Sequence, residues 1–197
     1  MQVEKMTQLC PVEPRQEKKM ENMERIIAEL ENRVEAHIRF AVSELQNMPA
    51  EKLLRPAANG GWSIAQCIWH LNSYGLYYIP RLEKGLEARS DTQGHYKSSR
   101  LGNYFTKMME PGSGKRKMKA FKGHIPPAET EAHAVIAGFL AQQERLLRCL
   151  RKAAHTDLNR VKVPVSIASW LRMNAGDVLR FLVAHNERHI QQARRDL

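Results

Sequence analysis

Four separated stretches of this chain carry apolar residues at three- and four-residue steps, and no stretch reads as a convincing strand. The first runs through Met23, Ile27, Leu30, Val34, His37, Ala41 and Leu45 and is expected to end before Pro49. The second starts after the turn signal Asn59-Gly60-Gly61. Ser63 fits its N-cap and Gln66 the third helical position, a capping box, with Trp62 before the cap able to pack back on Cys67. Pro80 is expected to kink or interrupt this helix, with helical character resuming from Arg81 to about Ala88. A third helix is expected from about Ala128 to Ala153, with Val135, Ile136, Phe139, Leu140, Gln143, Leu147 and Leu150 on its inner stripe. The last is expected from Asn174 or Gly176 to about Arg195. Each stripe must be covered by a partner, so four such helices predict an all-α four-helix bundle. Residues 90–126 and 155–174 are left as long interhelical loops, with a short helix near Tyr104 to Met109.

The 197 residues suit one domain at 20–197, preceded by a leader at 1–19 that holds Pro11 and Pro14 and has no apolar period. No apolar run approaches a membrane span, and the polar N-terminus lacks the apolar core of a secretory signal, so the expected location is cytoplasmic. Cys10, Cys67 and Cys149 are too far apart for a metal knuckle and offer no disulfide framework. Net charge is +10 but uneven: residues 1–50 hold 7 Lys/Arg and 9 Asp/Glu, so the remainder carries +12. Lys115, Arg116, Lys117, Lys119 and Lys122 form the densest cluster, read as a solvated loop that could also attract an anion. No helix-turn-helix, zinc-finger or RNA-binding signature accompanies it, so nucleic acid is not the expected partner.

The chemistry lies in the last helix. His185 and His189 are four residues apart, so they stack on one helix face, and that face also carries Val178, Phe181 and Leu182. Two inward imidazoles at this spacing can reach one divalent ion. The position after His185 is Asn186, where the His-Glu-x-x-His proteases place a general-base Glu, and Glu187 points about 200° away. His70 is the best third ligand, sharing a face with Gln66, Tyr74, Tyr77 and Arg81. Three imidazoles leave a coordination position open, which is a catalytic pattern. His37, on an apolar face, is read as a core histidine with a supporting role as the other option. The histidines at 95, 124, 133 and 155 fall in loops or near helix ends.

Gly61-Trp62-Ser63-Ile64-Ala65-Gln66 with His70-Leu71, followed by His185-x-x-x-His189-x-x-Gln192, resembles the second- and last-helix motifs of the DinB-like superfamily, YfiT-like proteins included. The resemblance implies a four-helix bundle of that type, often dimeric, holding zinc or nickel on the three matched positions. It implies a metal-dependent enzyme acting on a small molecule. Some relatives join bacillithiol, mycothiol or glutathione to substrates, and others are labelled metal-dependent hydrolases. The expected reading is therefore activation of a low-molecular-weight thiol or of water. Hydrolysis and a non-catalytic, stress-linked binding module are the alternatives. Gln192 is a candidate for orienting a ligand, Tyr74 and Tyr77 for hydrogen bonding or proton donation, and Arg81 for a substrate carboxylate. The open position is expected in a cleft bordered by Tyr74, Tyr77 and the 90–126 loop.

Overall fold

The structure, a computed structural model, describes residues 14–89, 94–112 and 119–197. Helix α1 spans Pro14–Phe40 and continues as a π-helical turn, Ala41–Leu45. A short α2, Ala50–Leu54, precedes α3, Ile64–Glu87. Then come α4, Arg100–Met109, a 3-10 turn at Lys122–His124, and α5, Ala132–Ala153. Strands β1, Lys162–Val165, and β2, Ala168–Asn174, lead into α6, Ala175–Arg194. The long helices α1, α3, α5 and α6 form the bundle: α3 packs on α5 and α6, α1 packs on the same two, and α4 lies against α6. The expected four-helix bundle is therefore present.

Helix boundaries follow local chemistry. The Ser63 hydroxyl accepts from the Gln66 backbone N–H at 3.2 Å, and the Gln66 side chain accepts from the Ser63 N–H at 3.1 Å, completing the capping box. The Asn174 side chain caps α6 by accepting from the Asp177 N–H at 2.8 Å. Gly60, at φ +72°, makes the left-handed turn that delivers the chain to α3.

Three expectations are corrected. Pro80 does not interrupt α3, which runs unbroken to Glu87. Pro80 and Leu76, whose carbonyl loses its helical N–H donor, are both exposed, so solvent can serve that carbonyl. Helix α1 begins at Pro14, inside the expected leader, whose residues 1–13 lie outside the described residues. The 155–174 connection is no plain loop but an antiparallel hairpin pairing Lys162 with Asn174 and Val163 with Met173. Its register shifts between Pro164 and Val165. Pro164 and a four-residue strand hide the two-residue period, while Val163 and Val165 still point inward. In the basic cluster, Lys119 and Lys122 are exposed, and Lys115, Arg116 and Lys117 lie outside the described residues. None of the described helices is long and apolar enough to cross a membrane.

The core divides in two along the bundle. One apolar cluster gathers Met23 to Val34 of α1, Tyr74 to Leu86 of α3, Leu146 to Ala153 of α5 and Val178 to Ala184 of α6. The other gathers Phe40, Ile64 to Leu71, Ala132 to Phe139, Ile190 and Ala193. Between them every long helix contributes buried polar side chains: His37, His70 and Asn72, Gln142 and Gln143, and His185 and Asn186. A buried polar group is costly unless paired, so these residues pair across the layer. Asn186 Nδ2 donates to Gln143 Oε1 at 3.1 Å, Asn72 Nδ2 to the Val135 carbonyl at 2.8 Å, and Gln142 Nε2 to the Asn72 carbonyl at 3.2 Å. His37 Nε2 donates to Glu187 Oε2 at 2.9 Å, joining α1 to α6.

Candidate metal centre

His70, His185 and His189 meet in this polar layer, each offering a ring nitrogen within 4.8 Å of the others. Among the described residues they form the one group of three or more His, Cys, Asp or Glu side chains placed to hold a metal ion. The Nε2 atoms of His70 and His185 are 3.2 Å apart. Two nitrogens each about 2.0–2.1 Å from one tetrahedral ion would stand about 3.3 Å apart. The donor set therefore fits a small divalent ion.

The outer nitrogens explain how the inner ones are aimed. His70 Nδ1–H donates to the His124 backbone carbonyl at 2.6 Å. His189 Nδ1–H donates to Gln192 Oε1 at 3.1 Å, one turn further along α6. In both rings this leaves the Nε2 lone pair facing the centre. His185 Nδ1 is buried without a hydrogen-bond partner, and aromatic neighbours position its ring instead. Phe181 stacks on it at 5.5 Å and 9°, and Tyr74 meets it edge-on at 4.5 Å. Trp62 covers His70 at 4.9 Å and stacks over His189 at 6.2 Å. His70 and His185 are buried, whereas His189 and Trp62 are partly exposed, so these two mark the side of the centre nearest solvent.

Burial sets the charge state. Desolvation pushes His70 down to about 4, and His189 to about 3 with help from His70. Desolvation, then the crowding of His189 and His70, hold His185 well below the usual imidazole range. All three are neutral at pH 7, the form that binds metal. Burial pushes Tyr74 up to about 12, so its hydroxyl stays protonated and can donate but not serve as a base.

The sequence candidates separate. Gln192 and Tyr74 stand against the histidines. Tyr77 does not: its ring contacts are Tyr78 at 5.0 Å and the Arg81 guanidinium at 3.8 Å. Arg81 is exposed and donates to the Tyr77 carbonyl at 2.6 Å. His37 serves Glu187 instead of the centre. Two neighbours escaped the sequence reading. Trp62, read as a staple, also covers two of the histidines. His124, read as a loop residue, is buried and stacks on Tyr74 at 3.7 Å and 19°. Only the Pro126-Pro127 stop just after His124 hinted that this stretch is held in place.

Comparison with known proteins agrees with this fold. No curated protein matches the sequence. A solved structure, YfiT from Bacillus subtilis, described as a probable metal-dependent hydrolase with an unusual four-helix bundle topology, superposes with a TM-score of 0.51 at 17% identity. The superposition covers 97% of this chain and 91% of YfiT, a likeness of fold. The model of the DinB superfamily matches residues 33–193, a span that includes all three histidines. Matched over most of its length, the chain belongs to the DinB superfamily.

Proposed function

We propose that this protein is a metal-dependent enzyme of hydrolase type, acting on a small molecule, with His70, His185 and His189 holding one divalent ion, zinc or nickel. The observation that carries the reading is the convergence of three neutral imidazoles from two helices, two of them with Nε2 held free by an acceptor behind the ring. When bound, the ion would supply Lewis-acid activation of a coordinated nucleophile and would polarise the substrate's carbonyl oxygen, making its carbon more electrophilic.

The chain supplies the rest. The His124 carbonyl and Gln192 fix ring orientation, so little reorganisation accompanies metal capture. Trp62, Tyr74 and Phe181 wall the centre with aromatic surface and limit water to the His189 side. Glu187, the nearest carboxylate in sequence, is committed to His37, so Tyr74 is the candidate hydrogen-bond donor to substrate and no carboxylate base is assigned. The description of YfiT favours water as the nucleophile. A low-molecular-weight thiol is the competing nucleophile for the same open position, in keeping with the superfamily's thiol-using members.

Elemental analysis of purified protein, followed by parallel assays, tests this. Zinc- and nickel-loaded protein should hydrolyse members of an ester and amide panel, and His185→Ala should not. Glutathione and bacillithiol transfer to an electrophile is measured beside it. One metal per chain with hydrolysis supports the proposal. Metal with thiol transfer alone moves the function to a transferase. No stoichiometric metal under either loading rejects the site.

A further inference from the structure

We infer that His124 is a positioning residue for the metal centre: its doubly anchored ring fixes the 122–124 turn so that its own carbonyl sets the tautomer of His70. The inference deepens the proposed function, because it assigns control of ligand geometry to a residue outside the ligand set.

Hydrogen-bond directions around His124 resolve one by one. The Ser73 hydroxyl donates to the His70 carbonyl at 2.7 Å, which uses its single proton. Ser73 Oγ lies 2.8 Å from His124 Nδ1, so it accepts there and His124 carries its proton on Nδ1. His124 Nε2 is then an acceptor, and Ser166 Oγ, at 3.2 Å, donates to it. The Tyr78 hydroxyl donates to Ser166 Oγ at 3.4 Å and accepts from the Ser166 N–H at 3.0 Å. Every proton in the chain Tyr78, Ser166, His124, Ser73 has one destination, and none is contested. The ring also lies flat on Tyr74.

The consequence is mechanical. Ser73 and Tyr78 belong to α3, Ser166 to the tip of the hairpin, and His124 to the turn between α4 and α5. The ring therefore ties two segments distant in sequence, its own turn and the hairpin tip, to the helix that carries His70. Phe121 and Ile125, on either side, are exposed and offer the turn little apolar anchorage. The His124 side chain is what holds its carbonyl 2.6 Å from His70 Nδ1. A carbonyl there accepts only from Nδ1–H, so it keeps the His70 Nε2 lone pair toward the centre.

Long-range proton–nitrogen NMR on histidine-labelled, metal-free protein reads the tautomer directly, and zinc competition titration reads affinity. Wild type should show His70 wholly as the Nδ1–H form with that proton slow to exchange. His124→Ala should mix the two tautomers, speed the exchange and weaken zinc about 10- to 100-fold, the usual range for losing such support. Ser73→Ala and Ser166→Ala should each fall between, and His124→Asn, which can still reach Ser73, should recover part of the loss. A folded His124→Ala protein with an unchanged His70 tautomer and unchanged zinc affinity overturns the inference. If His124→Ala does not fold, Ser166→Ala decides on the same two readouts. Wild type that binds neither zinc nor nickel would defeat the proposed function, and the metal-free tautomer measurement would still decide the role of His124.

Discussion

Replacing His185 with leucine should leave the metal-free protein about as stable as wild type while removing its response to metal. His185 is 3% exposed, and its Nδ1 has no hydrogen-bond partner. Leaving such a group unsatisfied costs about 1–3 kcal/mol. Leucine, similar in size and wholly apolar, would sit against Phe181 and Tyr74 without that cost. The substitution also strips buried His70 Nε2 of its 3.2 Å partner, which costs the same, about 1–3 kcal/mol. The two cancel to within about 1 kcal/mol without metal, or about 2–4 °C in Tm for a chain of this size. With metal at 100 times its dissociation constant, wild type gains about 2.7 kcal/mol and the variant gains none, so the two separate only when metal is present. Thermal melts of both proteins, in chelator and in zinc, test this. A variant that melts more than about 4 °C below wild type in chelator, or one that zinc still stabilises, would refute the view of His185 as a residue held for metal.

Acidification should destabilise the chelated protein between pH 7 and 5. His70 and His189 are held at about 4 and 3, and His185 is also depressed. Above the unfolded value of 6.5 neither state is protonated and stability is full; below it the unfolded chain gains protons first, so stability falls until the folded rings protonate. Urea midpoints across that window should drop, less steeply in His185→Leu, and a flat profile would contradict the burial argument. Asp177→Ala should cost at least about 3 kcal/mol. That carboxylate is fully buried and accepts from Tyr96 at 2.7 Å, Ser98 at 2.9 Å and the Ser99 hydroxyl at 2.6 Å, pinning the start of α4 to α6. An unchanged urea midpoint would rule that pinning out. Glu187→Ala should cost about 2 kcal/mol, because buried His37 then lacks a partner on both nitrogens. His37 first, then Gln191, hold Glu187 at about 2, so its contribution is present above about 4.5 and fades as pH falls through 2. Equal denaturation curves at pH 7 would remove this pair from the stability account.

The sequence by itself determined the helices and the faces they bury. Apolar spacing is a property of neighbouring residues, so α3, α5 and α6 and the inward direction of His185 and His189 were readable, as was the capping box at Ser63. It also named His70, from the polar and aromatic face it shares with Gln66 and Tyr74 and then from the two motifs read together. Tertiary structure alone decided what meets across the bundle. The partnership of His70 with His124, 54 residues away, and of His37 with Glu187, 150 residues away, depends on how helices rotate and stack, which no local pattern encodes. Tyr77 and Tyr74 look alike on a helical wheel, yet one faces Arg81 and the other His185, because α6 covers only part of the wide polar face of α3. The hairpin at 162–174 stayed hidden because a strand is stabilised by its partner more than by its own residues. The chain thus wrote its candidate ligands into helical periodicity, while the geometry that aims them came from packing between distant segments.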